Sequence, residues 1–248
     1  MLTSAAKQQL IKMKLSEIAD IVEHQDTLSE YQHMSFDNRM DHLVNSLYVI
    51  KHDNAIKGLR RRAHLKYPEA TTNSIEWLDR GLDKDTILNL SSGNFIALHD
   101  NIIFQGPTGS GKTFLACALA NDAAINQGYI TKYVRLPDLL LELREPEAKL
   151  RKIRKKYASP EVLILDEWLT NDNISEVDVS FLLDLMEDRN EKKSTIFCSL
   201  YSTSQWNAKL RNRVVGQSII DRIIHSSEKL YCGDKNMREF YSRRRLKN

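Results

Sequence analysis

No run of apolar residues in this 248-residue chain approaches the length that a membrane-spanning helix requires. The first 14 residues also lack the basic stretch followed by an apolar one that marks a secretory signal, so a cytoplasmic protein is the expectation. Cysteine is scarce. Cys117, Cys198 and Cys232 form an odd set with no Cys-x-x-Cys pair and no histidine at zinc-finger spacing, which suggests neither a disulfide framework nor a zinc site. They read as small buried hydrophobic residues. Glycine and proline are missing from residues 1–57, and there is no internal repeat or low-complexity segment.

Net charge is small as well, +3 overall, but it is unevenly spread. Residues 201–248 hold 11 basic and 4 acidic side chains, whereas the remainder is slightly acidic. Two basic clusters stand inside that remainder: Lys57, Arg60, Arg61, Arg62 and Lys66, and then Lys149, Arg151, Lys152, Arg154, Lys155 and Lys156. Focused patches of this kind attract polyanions even at low total charge.

Apolar periodicity divides the chain. Ile11, Leu15, Ile18 and Val22 recur on one helical face, and a second helical pattern starts at Ser35, a plausible N-cap, and runs toward Leu65 before Pro68 ends it. Residues 1–67 are thus expected to form a small all-helical domain, and 68–100 a connector with short helices. In residues 101–248 short apolar runs at 102–104, 129–136, 162–165, 195–198 and 229–232 alternate with helical stretches near 112–127, 137–157, 175–191 and 214–225. This alternation predicts an α/β domain, a five-stranded parallel sheet with helices on both faces.

The chemistry is carried by Gly106, Pro107, Thr108, Gly109, Ser110, Gly111, Lys112 and Thr113, followed by Phe114, a complete phosphate-binding loop between a predicted strand and a predicted helix. Glycines let successive backbone N–H groups turn toward phosphate oxygens, and the helix N-terminus adds its positive dipole end. Lys112 is expected to reach the β- and γ-phosphates of ATP, with Thr113 on Mg²⁺. Downstream, the apolar run 162–165 ends in Asp166 and Glu167, which places both carboxylates at the C-terminal edge of a buried strand. Asp166 is expected in the Mg²⁺ shell, with Glu167 deprotonating an attacking water. Trp168 reads as a packing residue. Asp221-Arg222 reads on its own as a surface ion pair, and an arginine finger reaching a neighbouring subunit is the alternative.

Taken together the residues resemble the IstB-like ATPases, transposition helper proteins of bacterial insertion sequences and AAA+ relatives of the helicase loader DnaC. The resemblance runs through Ser35-Phe36, the basic segment 59–68, the phosphate loop and the helix after it to Ala120, Gly128-Tyr129, Leu136-Pro137, 163–168, 194–199, Asp221-Arg222 and Met237-Arg238. It implies an AAA+ P-loop core, ATP and Mg²⁺, a transposase partner, sequence-independent binding of double-stranded DNA, and an ATP-dependent homo-oligomer, ring or helical, cytoplasmic and on the nucleoid when DNA-bound. Arg222 looks like the trans finger, and Arg238 matches a late basic position with a nucleotide-sensing role. Lys57, Arg60 and Arg61, and Lys152, Lys155 and Lys156 in the region that faces nucleic acid in the DnaC-related clade, are the implied DNA contacts. The tail from Arg243 to Lys247 is expected to be disordered. One departure stands out: Leu200 occupies the place where the family carries Asn or Gln to polarise the lytic water, leaving Ser199 as the candidate substitute. A helicase loader and a nucleotide-dependent binding switch with negligible turnover remain open alternatives.

Overall fold

The computed structural model describes residues 2–77, 80–170, 174–210 and 214–245, and the chain divides into two compact units, Met1–Gly58 and Leu59–Asn248. In the first unit, helices α1 (Ser4–Lys12), α2 (Ser16–Thr27) and α3 (Ser29–Gln32) precede the start of a long helix, α4 (Phe36–Ala63). The single helix expected through Ile11, Leu15, Ile18 and Val22 is broken. Lys14 takes a left-handed φ of 58°, Lys14 N–H bonds the Ile11 carbonyl at 3.0 Å and Leu15 N–H bonds that of Leu10 at 2.8 Å, which closes α1 as a left-handed cap. Ile11 is consequently exposed, and the buried positions of α2 are Ala19, Ile21 and Gln25. Ser35 does cap α4, accepting the Asn38 N–H at 3.2 Å. Tyr31 is buried in this unit with its hydroxyl 2.8 Å from His42 Nε2.

The second unit takes in the last turn of α4, which ends where His64 adopts φ 53°. A 3-10 turn (Thr72–Ser74), α5 (Lys84–Ser91) and α6 (Asn94–Ala97) make the connector. The connector is pinned to the core: Asn121 donates to the carbonyls of Pro68 and Ala70, and Thr72 donates through N–H and hydroxyl to the buried Asp122 at 3.0 and 2.6 Å. The core follows as β1 (Asn101–Gln105), α7 (Lys112–Asn126), β2 (Thr131–Arg135), α8 (Leu136–Glu142), α9 (Glu147–Ala158), β3 (Val162–Trp168), α10 (Glu176–Arg189), β4 (Ser194–Ser199), α11 (Thr203–Lys209), α12 (Val214–Ile224), β5 (Ser227–Tyr231) and α13 (Met237–Arg245). All strands are parallel, in the order β2-β3-β4-β1-β5.

Alternation along the central strands feeds two cores, one on each face of the sheet. Ile102, Phe104, Val162, Ile164, Ile196 and Cys198 pack with α7, which is buried without interruption from Leu115 to Ala124. Ile103, Leu163, Leu165 and Phe197 pack on the other face against residues of α8, α10 and α12. The three cysteines are free and buried, and Trp168 is a core residue set edge-on to Phe197 and Trp206 at 4.9 and 5.8 Å.

Three expectations are corrected here. The helix expected over 137–157 is two, α8 and α9, because Pro146 has no N–H to continue the hydrogen-bond ladder. β2 is shorter than 129–136, since Leu136 already opens α8 with Pro137 in its first turn, where proline is tolerated. The basic tail is helical rather than disordered as far as Arg245, its start capped by Asn236, whose side-chain oxygen accepts the N–H groups of Arg238 and Glu239; Leu246 and Lys247 lie outside the described residues.

Arg189 holds the end of α9 to β4. Its buried guanidinium donates to the carbonyls of Tyr157, Ala158, Pro160 and Ser194 and to Thr195 Oγ1, and burial, only partly offset by the charge of Glu161, lowers its pKa to about 9. Arg189→Leu leaves these acceptors unpaired and should destabilise the second unit by about 3 kcal/mol or more, read from urea unfolding. Unchanged stability would contradict this role.

Candidate functional site

The buried run Ile102-Ile103-Phe104 carries β1 into the middle of the sheet, so the chain leaving it crosses the C-terminal edge where open α/β sheets bind ligands. The loop 106–111 then turns into α7, with Gly111 at φ 93° standing immediately before its first residue. A Cβ on Gly111 would lie 2.6 Å from Arg80 Nη2, and one on Gly109 (φ 89°) 2.4 Å from Asn236 Oδ1. Both positions therefore need glycine for conformation and for space.

Lys112 folds back over its own loop, donating to the carbonyls of Gly106 and Pro107 at 2.7 and 2.8 Å, and burial lowers its pKa. Ser110 is fully buried and its hydroxyl has no partner among the described residues. An orphaned hydroxyl and a cation satisfied by loop carbonyls fit a cradle whose donors are meant for anionic oxygens.

Asp166 is 2% exposed and completely engaged. Thr113 Oγ1 lies 3.0 Å from each carboxylate oxygen, the Tyr133 hydroxyl donates to Oδ2 at 2.8 Å, and the Glu167 N–H donates to Oδ1 at 3.0 Å. Burial, followed by the neighbouring Asp166 carboxylate, pushes the Tyr133 phenol above its usual pKa, so it stays a donor. Glu167 departs from strand geometry. From Leu165 to Trp168 the chain advances three residues while its partner β4 advances two, from Phe197 to Ser199, and Glu167 takes φ 55° within this bulge. Its carboxylate joins that of Asp166 in one cavity instead of entering the opposite core, and Arg135 Nη2 meets Glu167 Oε2 at 2.7 Å. That bond is the largest cause raising the Arg135 pKa.

The cavity, about 620 Å³, is walled by Thr108, Gly109, Gly111, Lys112, Thr113 and Phe114, by Asp166 and Glu167, and by Arg238 in the first turn of α13. Tyr67, Glu76, Arg80 and Tyr241 also line it. Cys198 and Leu200 contribute the wall at the end of β4. Ser199 does not. Its buried hydroxyl accepts the Trp206 Nε1–H and the Tyr201 N–H, both at 3.1 Å, and donates to the Tyr201 carbonyl, so it is not placed to substitute as a water-polarising group.

The other candidate residues lie elsewhere. Arg222 is ion-paired with Glu187 of α10 at 2.8 Å and bonds the Ser218 carbonyl at 3.0 Å, outside the cavity wall of its own chain. In the basic clusters the sign of the charge overstated what is available. Arg60 is held by Glu69 and the Pro68 carbonyl, Lys156 by Glu142. Arg154 is held by Asp184 and Asp188, and Lys149 by Glu145. Lys152 and Lys155 are exposed and have no ion pair among the described residues; Arg61 is likewise exposed, as is Lys57 in the first unit.

Tyr133, Arg135 and Arg80 were not singled out by the sequence. Alternation puts the first two on one face of β2, but only the register of β2 on β3 sets that face beside Asp166. Arg80, which donates to the Ser110 carbonyl at 2.6 Å, stands in a connector with no pattern to reveal it.

A parallel sheet of this order, with the phosphate loop after β1 and paired carboxylates near the end of β3, makes a P-loop nucleotide-binding core with the AAA+ fold. The fold matches the DnaC helicase loader with a TM-score of 0.54 at 22% identity, over 67% of this chain and 98% of that one. It also matches AMPPCP-bound DnaA from Aquifex aeolicus with a TM-score of 0.56 at 20% identity, over 74% and 56%. In sequence, the chain is 34% identical over 211 residues to a Pseudomonas fluorescens protein of insertion sequence IS1162 that is named as an ATP-binding protein, covering 84% of this chain and 90% of that one. Residues 8–245 match the family described as IstB-like ATP binding protein, and the chain belongs to that family. Among the described residues no helix is long and apolar enough to cross a membrane.

Proposed function

We propose that this chain is an Mg²⁺-dependent ATPase that assembles on double-stranded DNA and uses the assembly to recruit and stimulate the transposase of an insertion sequence. The observation that carries the hydrolytic part is the presence of Glu167 and Asp166 in one cavity with Lys112 and Thr113. Lys112 and the loop N–H groups bind the phosphates, Lys112 exchanging its two loop carbonyls for phosphate oxygens. Thr113 and Asp166 hold the metal, which when bound neutralises charge on the phosphates. Glu167 accepts the proton of the attacking water, in competition with its bond to Arg135. Arg238 sits in the same wall and senses the nucleotide.

Glu167→Gln should leave ATP affinity intact and reduce phosphate release by about 10²–10⁴-fold, the usual range for loss of a general base. Wild-type turnover as slow as the mutant's would instead favour a nucleotide-dependent DNA-binding switch. That reading draws support from Leu200 in the cavity wall and from the engaged hydroxyl of Ser199.

Arg222 serves the γ-phosphate of the next subunit, releasing Glu187 to do so. A head-to-tail contact of this kind builds rings or helical filaments rather than closed two-fold dimers. Mixing Arg222→Ala with Lys112→Ala protein should restore part of the ATPase activity, since the intact Arg222 of one can complete the intact site of the other. No recovery at any ratio, with both variants folded and co-assembling, would remove the trans role.

DNA contacts fall to Lys57, Arg61, Lys152 and Lys155, exposed cations with no ion pair among the described residues, and go to phosphates rather than base edges. Alanine at Arg61, Lys152 and Lys155 should weaken binding equally for unrelated duplexes and flatten the salt dependence by about one unit of slope per lost contact. A sequence-selective loss would contradict this.

A further inference from the structure

The neighbour strand β2 contributes to the carboxylate site in a way that neither the motif nor the proposed reaction assigns. Arg135 pairs with Asp166 across the β2–β3 ladder, and Tyr133 pairs with Ile164. In a parallel ladder paired residues share a face, so Tyr133, two positions before Arg135, stands on the same side of the sheet as Asp166. Its hydroxyl reaches Asp166 Oδ2 at 2.8 Å, while its ring packs against the core that covers α7.

We propose that Tyr133 is a positioning residue for the metal site, fixing the plane of the Asp166 carboxylate so that it presents a constant geometry to a divalent cation. The inference rests on the nucleotide-site reading given above. Among the described residues three groups donate to Asp166, and they are not equivalent. The Thr113 hydroxyl is itself a candidate metal ligand, and its oxygen, with a single proton to donate, stands 3.0 Å from both carboxylate oxygens, so it does not fix which of them it holds. The Glu167 N–H fixes only Oδ1, from a backbone position within the bulge. Among the described residues that leaves the phenol as the side-chain donor committed to Oδ2 alone. Asp166 is too buried for water to take its place readily. Partners of this kind, one bond removed from the metal, orient the ligand and commonly change metal affinity by about 10–100-fold when removed.

The test separates metal binding from catalysis and from folding. Mn²⁺ is titrated by electron paramagnetic resonance into wild-type and Tyr133→Phe protein saturated with ATPγS, alongside nucleotide affinity in EDTA and the thermal unfolding midpoint. Tyr133→Phe should raise the Mn²⁺ half-saturation by about tenfold while the affinity for metal-free nucleotide stays within about twofold of wild type. An unchanged Mn²⁺ half-saturation in a folded Tyr133→Phe protein overturns the proposal, even though the nucleotide site itself stands. Failure of the wild type to bind ATPγS at all is the separate result that would sink the nucleotide reading. Where Tyr133→Phe does not fold, 3-fluorotyrosine at position 133 keeps the shape and strengthens the donor. The Mn²⁺ half-saturation should then shift, and no shift overturns the proposal.

Discussion

Consecutive residues of a β-strand face opposite sides of the sheet, and the site depends on one departure from that rule. Asp166 follows the alternation of β3 and lies on the α7 side with Thr113. Glu167 by the same alternation would enter the core that contains Leu163 and Leu165, where an unpaired carboxylate is very unfavourable. The bulge between Leu165 and Trp168, with Glu167 at φ 55°, brings the second carboxylate back beside the first and lets Trp168 take the buried position instead. A left-handed φ is uncommon for a residue with a Cβ, and its strain is tolerated where the surrounding structure fixes it. Here the Thr170 N–H and hydroxyl both bond the Glu167 carbonyl, at 3.2 and 2.9 Å, and the Trp168 ring is locked against Phe197 and Trp206.

The phosphate loop is held by a different principle, close approach. Arg80 reaches the Ser110 carbonyl from the connector, and the Met237 N–H bonds the Gly109 carbonyl at 2.8 Å from the start of α13. Both approaches occur over glycines that leave no room for a Cβ. The connector and the C-terminal helix, which contain no part of the motif, therefore shape the cradle as much as the loop does. The connector is in turn fastened to α7 by Asn121 and Asp122, polar residues in an otherwise apolar helix whose presence is explained by that docking.

Most of the core was legible in the sequence because the signals there are local: a loop motif between an apolar run and a helix, and apolar runs ending in carboxylates. What escaped was set by tertiary contacts. Lys14 breaks a helix that the apolar spacing supports, through a cap made without glycine. Tyr133 and Arg135 gain their meaning only from the register of β2 on β3. Ser199 is a plausible polar group in sequence, but Trp206, seven residues on, takes its hydroxyl. The basic run of α9 reads as one surface, yet Arg154 and Lys156 are bound to acids of α10 and α8, so Arg151, Lys152 and Lys155 carry the outward charge.

The most direct test of the account is the structure of the protein bound to Mg²⁺, ADP–aluminium fluoride and duplex DNA. The fluoride group is predicted to lie between Lys112 and Glu167, with Asp166 and Thr113 on the metal side and Glu167 still in its left-handed conformation. Glu167 on the opposite face of the sheet, or a nucleotide seated away from the two carboxylates, would contradict it.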